Sequence, residues 1–148
     1  MGDKKRLSGP ERQKFTIDVL RQWQGIERDA IETTAQIMEK TDNLLIRQIM
    51  EIIRNDSVQH HRVQQFIIDT MTKEAVRMSP DDMAEVWTRI EEHDELEKRT
   101  IELAKELKEK ATDPVVATML EYLIIDEQKH DHILNQLDAV KRHLSKLA

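Results

Sequence analysis

The sequence predicts an all-α protein: an antiparallel four-helix bundle. Three observations carry that expectation. Four long segments repeat apolar residues at steps of three and four, the helical period. Three short breaks rich in Thr, Asp, Asn, Ser and Pro separate them, each with a helix-starting signature. Strand formers and turn residues are scarce: of 148 residues only 3% are aromatic, with three Gly and three Pro.

Residues 1–9 read as a flexible tail, in which Lys4, Lys5 and Arg6 form a solvated basic cluster. Residues 10–148 form the domain. The first helix starts near Pro10, with Ser8 or Gly9 as its cap, and runs to about Lys40. Its stripe is Phe15, Val19, Trp23, Ile26, Ala30, Thr34 and Ile37, with Glu27 on it and Glu32 opposite. Gly25 is read as tolerated within the helix. Asp42 or Asn43 caps the second helix, from about Leu44 to Met71 or slightly beyond. Its stripe is Leu45, Ile49, Ile52, Ile53, Val63, Ile67 and Met71, interrupted at the centre by Asp56 and His60, while His61 faces away.

Ser79-Pro80-Asp81-Asp82 is a helix start: a cap, a proline in the first turn, and acids facing the positive end of the helix. The third helix runs to about Ala111 on Met83, Val86, Trp87, Ile90, Ile101, Ala104 and Leu107, with His93 and Glu97 at its centre. Thr112-Asp113-Pro114 starts the fourth, which runs almost to the end on Val115, Met119, Leu123, Leu134, Leu137, Val140 and Leu144, with Asp126, Glu127 and His130 in the middle. Tyr122, Ile124 and Ile125 flank that stripe and are expected to be exposed. No low-complexity segment or internal repeat stands out.

In an up-down-up-down bundle the central ionisable groups fall at similar heights, within roughly 10 Å along the axis at the helical rise. Any one of these histidines, alone, is an ordinary hydrogen-bonded core residue. Together, three imidazoles and four carboxylates without Lys or Arg in their layer would be strongly destabilising unless a cation compensates them. That points to a metal site of Glu27, Asp56, His60, His93, Glu97, Glu127 and His130, with Asp126 orienting a ligand imidazole from outside. Carboxylates with imidazoles suit iron, manganese or zinc, and the number of ligands suits two ions.

The net charge of −6 argues against a nucleic-acid surface. With no cysteine, thiolate sites, disulfides and cysteine nucleophiles are excluded. No apolar run is long enough to span a membrane and no signal core follows the basic start, so the expectation is a cytoplasmic protein.

The ligand pattern resembles the ferritin-like di-iron carboxylate superfamily, its rubrerythrin branch in particular. That family places Glu on helix one, Glu-x-x-His on helix two, Glu on helix three and Glu-x-x-His on helix four. Glu27, Glu97 and Glu127 with His130 match, and Asp126-Glu127-Gln128-Lys129-His130 is the most specific stretch. Helix two departs, offering Asp56-Ser57-Val58-Gln59-His60. His93 is an added imidazole, the second connection is short, and the cysteine-rich module of rubrerythrins is absent. His93-x-x-x-Glu97 is similar to hemerythrin, which uses more imidazoles. The resemblance implies two iron ions, reaction of ferrous ion with peroxide or dioxygen, a separate electron donor, no catalytic residue apart from the ligands, and a homodimer or higher homo-oligomer. The alternatives are an iron-storing, iron-sensing or oxygen-carrying protein without turnover, and a metal-free helical interaction module.

Overall fold

A computed structural model describes residues 7–147, with side chains up to His143. The basic cluster of Lys4, Lys5 and Arg6, and most of the expected tail, lie outside the described residues, as does the side chain of Leu144. All the regular structure described is helical: α1 (Gly9–Glu39), α2 (Leu44–Thr72), α3 (Pro80–Lys110) and α4 (Pro114–Leu147). The all-α expectation is met, with four helices whose limits follow the local signals within one or two residues.

Those limits have chemical causes. Ser8 caps α1: its hydroxyl accepts Glu11 N–H while the Glu11 carboxylate accepts Ser8 N–H, a reciprocal capping box ahead of Pro10. The carboxyl of Glu11 is held below its ordinary value by these bonds, first the one from the Ser8 backbone. Ser79 and Asp82 repeat the device at α3, and Asp82 is lowered in the same way, first by the Ser79 hydroxyl. Asn43 Oδ1 accepts Ile46 N–H at 3.0 Å to start α2. Asp113 Oδ1 accepts Val115 N–H at 2.8 Å in the first turn of α4. The residue that flanks the start of each helix thus satisfies amides that the helix itself leaves unpaired.

The chain divides into two compact units, Met1–Val76 and Arg77–Ala148. Each is a helical hairpin. In the first, α1 and α2 run antiparallel: Gln13 donates to the Met71 carbonyl at one end and Arg47 to the Met38 carbonyl at the other. In the second, Trp87 lies beneath the Lys141 ammonium at 3.7 Å from the ring centre, and Lys108 pairs with Glu121 near the turn.

The seams differ from the expected stripes. Along α1 the buried residues are Leu20, Gln24, Glu27 and Thr34, whereas Phe15, Val19, Trp23, Ile26 and Ile37 are exposed. Along α2 they are Ser57, Gln64 and Ile68, with Ile53, Val63 and Ile67 exposed. The buried strip of each of these helices is narrow, and the rest of its broad apolar arc is open. The same geometry corrects the expectation for Ile124. It is 5% exposed, while Leu123 of the expected stripe is 47% exposed. The face of α4 that meets α3 is rotated by one position. Ile125 is exposed as expected and Tyr122 is half-buried. No helix among the described residues is long and apolar enough to cross a membrane.

Candidate metal centre

In the middle of α3, the Glu97 side chain is 9% exposed, and among the described residues no Lys or Arg is paired with it. A carboxylate removed from water needs hydrogen bonds or positive charge. Its partners here are imidazoles. His93, one turn earlier on the same helix, brings Nε2 to 2.7 Å from Glu97 Oε1. His130, from α4, brings Nδ1 to 3.3 Å from both Glu97 oxygens. Glu127 precedes His130 by three residues, so the two share a helix face. Its Oε2 lies 3.6 Å from the same His130 Nδ1. One ligand atom from each of Glu97, Glu127 and His130 lies within 4.8 Å of the other two.

Two carboxylate oxygens and one ring nitrogen at that separation can converge on a single divalent ion with little movement, and the donor set suits iron, manganese or zinc. The other side of the ring adds to the fit: His130 Nε2 faces Asp126 Oδ2 at 3.5 Å, in the place where a carboxylate holds a ligand imidazole in one tautomer. Asp126 also pairs with Lys129 at 2.7 Å. The half-exposed ring of His130, 42% open, leaves a route for an ion from solvent.

On the first hairpin, Glu27 is buried, its side chain 7% exposed, and its partner is His60, whose Nδ1 is 3.3 Å away while the ring is 57% exposed. Asp56 is half-buried one turn before His60 and makes no ion pair or hydrogen bond among the described residues. Thus the residues predicted from sequence gather as one group of four, His93, Glu97, Glu127 and His130, and one pair, Glu27 and His60, each within its own hairpin. His61 is turned toward α1: its carbonyl accepts from Gln24, and its Nε2 lies 3.2 Å from Arg28.

Beside the cluster is a feature that the expected stripes do not contain. Asp94 and Asp131 meet carboxyl to carboxyl between α3 and α4. Hydrogen bonding to Asp94, then burial, raises the Asp131 carboxyl above its ordinary value. One oxygen of each has no partner unless the pair shares a proton. Lys98 pairs with Asp94 at 3.1 Å. The signal for this pair was open to sequence reading, since Asp94 and Asp131 each adjoin a candidate ligand, but only the rotation of α4 brings them together. A groove of about 440 Å³ beside Trp87, Ile90, Asp94, Leu134 and Asp138 shares no residue with the three-ligand cluster.

No protein-family description, curated protein or solved structure matches this chain.

Proposed function

We propose that this chain is a metal-binding protein in which Glu97, Glu127 and His130 hold a divalent transition-metal ion, with His93 at its edge and Asp126 orienting the His130 ring. The observation that carries the proposal is the convergence of these three ligand atoms within 4.8 Å around a buried carboxylate that has no Lys or Arg partner among the described residues. A purely structural polar cluster would leave the two carboxylates close together with only imidazole to compensate them, an arrangement that a cation stabilises.

The proposal extends to iron or manganese in a two-ion protein that reacts with peroxide or dioxygen, as the ferritin-like resemblance implies. The bound metal would supply the redox chemistry. The chain's part is to hold carboxylate and imidazole donors in place, and, having no cysteine, to rely on a separate electron donor. The apolar residues exposed on both hairpins support association with a second copy of the chain.

Metal analysis of protein purified without chelators tests the first step. We expect bound iron, manganese or zinc, strongly lowered in His130→Ala and Glu97→Ala and retained in His61→Ala and His132→Ala. No bound metal, with no uptake of added ferrous or manganous ion, would overturn the reading. Stopped-flow absorbance of anaerobically loaded protein mixed with peroxide tests the second. Oxidation faster than that of free ferrous ion in the same buffer is expected; an equal rate would leave a binding protein without turnover. Light scattering at micromolar concentration should give a mass above that of one chain, and a monomer would count against association.

A further inference from the structure

The two hairpins hold their histidines in the same way. His60 follows Glu27 by 33 positions, and His130 follows Glu97 by 33. In both, histidine Nδ1 lies 3.3 Å from Oε1 of the glutamate. An offset of 70 residues superposes residues 10–73 on 80–143 without a gap. Under it Pro10 falls on Pro80, Glu27 on Glu97, Ile31 on Ile101, Asp56 on Asp126 and His60 on His130. Some apolar positions keep their character where the residue changes, as at Leu20 and Ile90, Ile26 and Leu96, Val63 and Ile133, and Ile67 and Leu137, whereas the buried Ile68 and Ile124 fall on Asp138 and Arg54. Both first helices begin at a serine capping box, although Ser8 and Ser79 are 71 residues apart and stand one position out of this register. The two hairpins thus share their helix layout and their glutamate–histidine contact. Identity between the halves is low, and only the paired contacts show which positions correspond.

The halves differ where it matters for a metal ion. Glu127 corresponds to Ser57, and His93 to Trp23. The second hairpin thus has three converging donors, while the first has Glu27 and His60, with Asp56 one turn away. Ser57 is buried and offers no charge. We infer that the two hairpins are copies of one metal-binding unit with unequal strength: the α3–α4 hairpin takes its ion first and more tightly, and Glu127 is the residue that makes the difference. The inference rests on the metal-binding reading above and adds an order of filling to it. The chemical basis is charge and ligand number. Two carboxylates and an imidazole neutralise a divalent ion, and an imidazole with one converging carboxylate does not. Outer partners of a metal site alone change affinity by about 10- to 100-fold, so the loss of a direct carboxylate donor weakens binding at least about tenfold.

Cobalt(II) titration of the full chain, followed by visible absorbance and by calorimetry, tests this without reference to any activity. The wild-type protein is expected to take up two equivalents in two steps, the first at least about tenfold tighter. His130→Ala should remove the tight step and keep the weak one. His60→Ala should remove only the weak one. Glu127→Ser, which copies residue 57 into the second hairpin, should bring the first step down to the affinity of the second, and Glu127→Gln should do the same with the side-chain volume kept. Circular dichroism of each variant checks that it is folded. Loss of both steps in either histidine variant, a tight step that survives His130→Ala, or two steps still apart in both Glu127 variants would overturn the inference while leaving metal binding itself in place. No cobalt uptake by the wild-type protein would overturn both.

Discussion

Between α1 and α2 the buried side chains are mostly polar: Gln24, Thr34, Ser57, Gln64 and Glu27, with Leu20 and Ile68 among them. Between α3 and α4 Ile101, Ala104 and Ile124 are buried, and Glu97 is the one buried acid among the described residues of that hairpin. The same two-helix architecture thus buries a mostly polar strip in one case and a mostly apolar one in the other. Gln24 donates to Gln65 at 3.1 Å, and Arg21 donates to the same Gln65 oxygen at 3.0 Å. Such bonds contribute little net stability but are costly to break singly, because the orphaned partner stays buried. A polar seam therefore specifies a register more than it stabilises one. The shared element is the glutamate–histidine contact, which appears in both hairpins against opposite packing backgrounds. That contact is hence not a by-product of either seam.

The largest expected effect comes from the apolar residues that each hairpin buries. Ile68, 2% exposed, is the most buried large side chain described, and Ile68→Ala should cost about 2–5 kcal/mol in urea unfolding. Ile124→Ala should fall in the lower part of that range, about 2–3 kcal/mol, while Leu123→Ala should stay within about 0.5 kcal/mol in a monomeric sample. If Leu123→Ala were the costlier change, the face of α4 toward α3 would be the one expected from sequence, and the contrast between seams would weaken.

The polar seam gives the next effect. Gln24→Ala should cost about 1 kcal/mol by removing its bonds to the Gln65 oxygen and the His61 carbonyl, since Gln65 keeps Arg21 and Asp69 as partners. Replacing Gln24 and Gln65 together with Leu should be closer to neutral, and a double-mutant cycle by thermal unfolding would measure the coupling. An additive result would mean that these glutamines do not act as a pair.

The two capping boxes should be equivalent in size, since each pairs a serine with an acid three residues on. Ser8→Ala and Ser79→Ala should each cost about 1 kcal/mol. Glu11 and Asp82 are both lowered by their serines, so their contribution is present above the carboxylates' ordinary values and is lost as pH falls through the lowered ones. The difference between each Ala variant and wild type should therefore shrink in melts recorded between pH 5 and about 2. A difference that grows on acidification would contradict the sign.

The smallest effect concerns Gly25, whose counterpart in the second hairpin is Glu95. A Cβ at Gly25 would meet nothing closer than the flexible end of Arg28, at 3.7 Å. Gly25→Ala should stabilise the first hairpin by about 0.5–1 kcal/mol, measured by the urea midpoint, since Ala costs less than Gly in a helix interior. A loss instead would point to a close approach that the hairpin does not show.

Local chemistry made the four helices and their limits legible. Ser8-Gly9-Pro10, Asn43, Ser79-Pro80 and Asp113-Pro114 act on amides within one turn, so no distant contact is needed to place them. The pairing of Glu127 with His130 was legible for the same reason, being set by the helical spacing alone. Which side of each helix faces its neighbour is different. It depends on the rotation at which two whole surfaces fit, and there the tertiary structure decided: Ile124 is buried instead of Leu123, Asp94 meets Asp131, and polar Gln24 and Gln64 close the first hairpin. The likeness of the two hairpins was decided in the same way: only contact between distant residues brought each histidine, 33 positions along, to 3.3 Å from its glutamate.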